Sequence, residues 1–464
     1  MATVSTARPF IPLGSIPVRK PTVRLTLWPL VAATFFMVSG GTYGTEDIVH
    51  GAGYGRGILI LFLTPILWSL PTAYMIGELS SALPYEGGYY AWVRRAMGNF
   101  WGFQEAWLSL VASIFDMAIY PTLFVAYLTR MFPWFSEGHR GIMVGLAVVS
   151  VCTLLNIAGV RVVSTTSLWL FFALSAPFAL MVVLAPFKYA ALFHAVTTPT
   201  SSKTDMVGGL LIAMWNYMGW DNASTIATEV ERPQRTYPRA MLAAVAIVAL
   251  SYVVPVAAVW MTGLPSTAWE TGSWADIAGL LGGGALRLAL VVGGMVSAFG
   301  MFNALVMSYS RLPLAMAQDG MLPRVFAKLN RRRAPWVAIS VCALGWACCL
   351  GLGFERLVTI DILLYGSSLL LEFVALVVLR FREPDLPRAF RVPGGKFGAI
   401  AVGITPMLLL AFSVVRSETE HVLGMTSFDL GMLLIAGGVV AYFLNHRLKP
   451  QGWAPAAGNP PATV

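Results

Sequence analysis

The stretch Phe35-Phe36-Met37-Val38-Ser39-Gly40-Gly41-Thr42-Tyr43-Gly44-Thr45-Glu46-Asp47 decides how this chain is read. It lies inside the first long apolar segment, yet it carries three glycines, several hydroxyls and two carboxylates. At membrane depth, unwound backbone survives only where protein buries it or where it lines a watery cavity. Glycine loosens the helix there and lets a ligand approach the main chain. The sixth apolar segment repeats the oddity at Asn216-Tyr217-Met218-Gly219-Trp220-Asp221-Asn222. Interrupted apolar segments at corresponding positions of two halves point to a central binding site of the kind membrane carriers use.

Composition agrees with a membrane setting. Hydrophobic residues make up 57% of the 464 and charged residues 11%, with a mean hydropathy of +0.72; soluble domains carry roughly 25% charged residues. The expectation is an all-α integral membrane protein with 12 transmembrane helices. Stretches long enough to span lie at 25–50, 57–82, 101–130, 141–160, 164–187, 206–228, 239–263, 284–310, 335–353, 357–379, 397–415 and 425–445. What remains is a basic tail at 1–24, a Pro-rich tail at 446–464 and short loops, with no room for an extramembrane signalling domain.

The net charge of +9 reports orientation and not nucleic-acid binding. With both termini cytoplasmic, 23 of the 31 Lys and Arg fall on the cytoplasmic side, where positive charge accumulates in a plasma or inner membrane. No short apolar core with a cleavage site lies before residue 25, so a cleavable leader is not expected. Cys152, Cys342, Cys348 and Cys349 fall inside spans as small core residues, with no disulfide or metal spacing. Neither a cofactor nor a metal is expected. No nucleophile–base pair is evident, and His50, His139, His194, His421 and His446 lie in loops or near span ends; an enzyme is not expected.

Two spans carry polar stripes. In the third, Glu105, Ser109, Ser113, Asp116 and Tyr120 fall within about an 80° arc of a helix. In the tenth, Asp361, Tyr365, Ser368 and Glu372 fall within about 60°. Charges in a span are costly and face the bundle interior. Either stripe can serve simply to hydrogen-bond a neighbouring helix. A functional role is expected first for Asp116, which lies at mid-membrane with Pro121 loosening the helix beyond it. Glu372, flanked by Leu369-Leu370-Leu371 and Phe373-Val374, suits a proton relay or a structural hydrogen bond.

A broken helix offers N–H groups and a positive dipole end to anions, and its freed carbonyls attract cations. Two such breaks can hold an amino acid by both its charges. Tyr43, Tyr120, Trp215, Tyr217 and Trp220 offer ring faces for cations, or pack as helix-interface aromatics. Asp116, Asp221 and Glu46 or Asp47 tilt the balance toward a cationic ligand, a polyamine or a basic amino acid.

The segments that carry a family likeness occur in order along the chain. They are Val38-Ser39-Gly40-Gly41 with Gly44 and Glu46-Asp47, then Gly77-Glu78-Leu79 through Pro84 to Glu86-Gly87-Gly88 and Tyr90. Trp215-Asn216, Trp220-Asp221 and Glu229-Val230-Glu231-Arg232-Pro233 follow. Then come Ser310-Arg311, Ala315-Met316-Ala317, Asp319-Gly320 and Pro323, and finally Arg382-Glu383-Pro384-Asp385-Leu386-Pro387-Arg388 with Phe390-Arg391-Val392-Pro393-Gly394. The chain resembles the amino acid/polyamine/organocation transporter superfamily over nearly its whole length. Gly102-Phe103-Gln104-Glu105, Asp116 with Ala118, Tyr120-Pro121 and Leu371-Glu372-Phe373 bring it nearest the branch of polyamine uptake transporters and polyamine:proton symporters.

The resemblance implies a five-plus-five inverted repeat, 25–187 against 206–381, with broken helices 1 and 6 and two extra helices at 397–445. It also implies a site between spans 1, 3, 6, 8 and 10, and alternating access. On this reading Ser39, Gly40, Gly41, Tyr43, Asp116, Tyr120, Tyr217, Trp220 and Asp221 bind substrate. Glu372 and Asp116 are the candidates for coupling to a proton gradient. Span 5 holds no lysine of the kind some proton-coupled relatives place there, and Gly219-Trp220 also resembles amino acid exchangers. An exchanger of neutral or basic amino acids is therefore the alternative, with a membrane sensor or channel as the reading from another class. The expected partners are a small amine or amino acid and the lipid bilayer.

Overall fold

The computed structural model describes residues 25–84, 87–159, 163–193, 205–417, 421–422 and 424–447, so the tail at 1–24, Glu86 and the chain beyond 447 lie outside it. The chain begins with α1 (Leu27–Val38), α2 (Glu46–Ala52) and α3 (Tyr54–Thr64). A π-helical turn at Pro65–Ser69 then leads directly into α4 (Leu70–Ala82), because a proline at its start removes an intrahelical donor. The stretch between spans 2 and 3, expected among the short loops, contains a helix, α5 (Gly88–Met97), followed by α6 (Asn99–Met131), α7 (Arg140–Ile157) and α8 (Val163–Phe193). Next come α9 (Met206–Asn216), a 3-10 segment at Trp220–Glu229, α10 (Pro233–Trp260) and α11 (Trp274–Gln318). The chain finishes with α12 (Trp336–Cys348), α13 (Phe354–Arg382), α14 (Gly395–Ala401), α15 (Ile404–Ser417) and α16 (Ser427–Arg447). A two-stranded hairpin, His421–Val422 with Met425–Thr426, precedes α16.

Among the described residues nine helices are long and apolar enough to cross a membrane. Helices α1 and α12 are apolar but shorter, at 12 and 13 residues. Polarity is arranged for hydrocarbon outside. Leu154, Phe187, Leu344, Leu408 and Val440 are exposed, whereas Glu46, Glu78, Glu105, Asp116, Asp221, Asp361 and Glu372 are buried. Helices α6, α11 and α13 are buried over most of their apolar length and form the centre.

Both breaks exist, and glycine explains each. Between α1 and α2, Gly40 has a φ of +62°, and a Cβ there would come 2.6 Å from Ser297 Oγ of α11. Instead Ser297 Oγ donates to the Gly40 carbonyl at 2.5 Å. Between α9 and the 3-10 segment, Gly219 has a φ of +84°, and a Cβ would meet the Met37 carbonyl at 2.8 Å. The second break therefore lies backbone to backbone against the first. Any side chain at Gly219 would force them apart.

Both ends of the bundle are tied shut. At the arginine-rich end, Glu78 of α4 accepts from Arg380 Nε and Nη2 at 2.6 and 2.5 Å, and from the Val392 amide at 2.7 Å. Arg388 Nε adds an ion pair to the same carboxylate at 3.0 Å. Arg94 pairs with Asp319 at 2.5 Å, and Arg95 with Glu383 at 2.6 Å. At the opposite end Glu46 accepts from the Tyr127 hydroxyl, the Gly44 amide and the Gly272 amide. There Arg130 bridges Asp276 and Glu270 at 2.9 and 2.8 Å.

Candidate functional site

Between the two tied ends lies a closed cavity of about 10 Å³, about the room one water molecule needs. Met37 and Val38 reach it from the end of α1, Asp116 and Tyr120 from α6, and Trp215 from the end of α9. Met218, Gly219 and Asn222 line it from the second break, Leu305 and Tyr309 from α11, and Asp361 and Tyr365 from α13. The two breaks and the polar stripes of α6 and α13 thus converge on one point. No Lys, Arg or His is among the lining residues.

The hydrogen bonds orient acids toward this point. Asp116 accepts from the Tyr309 hydroxyl at 3.0 Å, the Tyr120 hydroxyl at 3.1 Å and Trp215 Nε1 at 3.2 Å. Tyr365 donates to Asp221 at 2.6 Å while accepting from the Gly219 amide at 3.2 Å. Asp361 is 1% exposed, and its Oδ2 has no hydrogen-bond partner. Burying a carboxylate without a counter-charge is costly, and a cation repays that cost most directly. Asp116 and Asp361 line this small space, with Asp221 behind Tyr365 and tyrosine and tryptophan rings beside them.

The anticipated residues separate into two sets. Asp116 and Tyr120 line the cavity, and Asp221 stands directly behind Tyr365. Ser39 closes a local turn, its hydroxyl donating to the Gly41 carbonyl at 3.1 Å and accepting from the Gly41 amide at 3.2 Å. Tyr43 packs edge-on against Tyr127 and Phe178, away from the cavity. Tyr217 turns outward to donate to the Leu61 carbonyl at 2.8 Å, and Trp220 donates to the Tyr217 carbonyl at 2.7 Å. Glu372 lies deeper, fully buried, with neither oxygen partnered. Tyr309 and Asn222 were not singled out from the sequence as ligands. Asp361 and Tyr365 were visible only as members of a stripe. Among the described residues no group of three or more His, Cys, Asp or Glu is placed to hold a metal ion.

The sequence profile described as "Amino acid permease" matches residues 31–440. The chain belongs to the amino acid permease family. This permease is 33% identical over 438 residues to the polyamine transporter RMV1 of Arabidopsis thaliana, covering 93% of this chain and 87% of the relative. It is 34% identical over 423 residues to the polyamine transporter PUT1 of Oryza sativa subsp. japonica, covering 91% and 79%. A more distant relative is the serine/threonine exchanger SteT of Bacillus subtilis, 26% identical over 437 residues and covering 90% and 94%. With this family membership and its apolar helices, the chain is a multi-pass membrane transporter and not an enzyme.

Proposed function

We propose that this permease takes up an amine-bearing cation, a polyamine, across the plasma membrane by alternating access coupled to protons. The observation that carries the reading is the cavity lined by Asp116 and Asp361, with Asp221 one hydrogen bond behind Tyr365 and no cationic side chain in the lining. The relatives named as polyamine transporters support the same substrate class. Twelve spans with both termini cytoplasmic place the arginine-rich end on the inside. The repeats 25–187 and 206–381 then rock against each other, with 397–445 outside the moving core. As the cavity widens, the carbonyls of Ser39, Gly40 and Gly41 and the rings of Tyr43, Tyr217 and Trp220 join Asp116, Tyr120 and Asp221 around the substrate. Glu372 and Asp116 exchange the driving proton.

Uptake of labelled spermidine into liposomes containing the purified protein tests this. Uptake should rise when a proton gradient is imposed and should fall at least tenfold in Asp116→Asn and Asp221→Asn. Unchanged uptake in both variants refutes the assignment. The relation to a serine/threonine exchanger favours one second reading, obligate exchange. In that case uptake would require internal amino acid and ignore the proton gradient.

A further inference from the structure

Glu105 and Glu372 are the acids that the cavity itself does not use. Both are fully buried. Glu105 accepts from Ser109 at 2.9 Å and from Ser368 at 3.4 Å, but its second oxygen has no partner, and Glu372 has none at either oxygen. The charged groups that act on them are acids: Asp221 on Glu105, and Asp221 and Glu105 on Glu372. The buried Tyr89 of α5 also lies near both.

Their spacing is matched on two helices. Glu105 and Asp116 are eleven residues apart on α6, as are Asp361 and Glu372 on α13. Eleven residues are three helical turns plus about 20°, so each pair shares one face with a separation of about 16 Å along the axis. The helices run antiparallel and are stitched by Ser109 and Ser368, whose hydroxyls lie 2.9 Å apart. Asp116 therefore stands level with Asp361 at the cavity, and Glu105 level with Glu372 three turns nearer the arginine-rich end. Asp221 acts on both levels.

Resting on the amine reading above, we infer that Glu105 and Glu372 form a second ammonium subsite. Together with the cavity it holds one extended linear polyamine, with its inner nitrogens passing Asp221. An extended tetraamine with thirteen bonds between its terminal nitrogens spans about 16 Å, from single bonds of about 1.5 Å at tetrahedral angles. A four-carbon diamine spans about 6 Å on the same basis and reaches only one level. The subsite makes this permease select for chain length.

The test is binding of putrescine, spermidine and spermine to the purified wild type, Glu105→Gln and Glu372→Gln, followed by thermal shift and calorimetry. Wild-type affinity should increase with amine length. Each variant should weaken spermine about tenfold or more, with putrescine changing less than about threefold. The double variant should lose little beyond either single one, because the pair holds one ammonium. Length-independent wild-type affinity, or equal losses for short and long amines in both variants, overturns the subsite. If amino acids bind the wild type and no amine does, the amine reading fails first and the subsite with it.

Discussion

Asp361→Asn separates the cost of the site from its use. Asp361 is 1% exposed, one of its oxygens has no partner, and it faces the like charges of Asp116 and Asp221. An unsatisfied buried acceptor costs about 1–3 kcal/mol. Asparagine keeps the shape, removes the charge and supplies an N–H donor to the neighbouring carboxylates. The ligand-free variant should therefore be more stable than the wild type by about that amount. A saturating amine works in the opposite direction. At a hundredfold excess over its dissociation constant, a ligand adds about 2.7 kcal/mol to the state that binds it. The wild type should gain that increment from spermidine, and the variant should lose most of it. Melting of the two proteins in detergent, with and without spermidine, reads both effects in one experiment. A ligand-free variant that melts below the wild type, or one that keeps the full spermidine shift, would show that Asp361 is not held as an uncompensated charge for the substrate.

The other expectations follow from contacts at the ends and breaks. Glu78→Gln leaves Arg380 and Arg388 buried without their counter-charge. It should cost about 3–5 kcal/mol, visible as a large drop in melting temperature; a drop of a degree or less would refute the burial argument. Gly219→Ala drives a Cβ against a backbone carbonyl, whereas Gly40→Ala meets the movable end of Met301 and the Ser297 hydroxyl. Spermidine binding by purified variants should suffer more from the first, and equal losses would count against the backbone contact. Asp319→Asn removes the negative charge that Arg94 pairs with and one of the two oxygens open to Arg94 and Tyr90 at the arginine-rich end. A cysteine introduced at Asn222 should then react faster with a hydrophilic thiol reagent, and an unchanged rate would show that this pair does not close the path.

The breaks were legible because glycine and hydroxyls interrupt an apolar run at Val38-Ser39-Gly40-Gly41 and again at Met218-Gly219. Helical periodicity also placed Asp116 with Tyr120, and Asp361 with Tyr365, on single faces. It could not say that the two faces look at each other, because a period fixes direction about one helix and says nothing of its neighbour. Asp361 was therefore read as part of a stripe, although it opens onto the cavity. Tyr309 gave no periodic signal, and its role comes from a hydrogen bond to a helix nearly two hundred residues away. Tyr217 and Trp220 show the converse. Their place in a break put them near the ligand on paper, but buried hydroxyl and indole groups need partners, and they found these in main-chain carbonyls. The loop after span 2 misled for a different reason. Its glycines cap α5 with positive φ at Gly87 and Gly98 rather than prevent it.

The contact between Gly219 and the Met37 carbonyl has a mechanical consequence. Two hinges pressed together at their pivots behave as meshed gears: neither turns without displacing the other. A displacement of the second break at Gly219 therefore presses directly on the chain at Met37 beside the first. The two breaks need no long-range relay to move together, because they already touch.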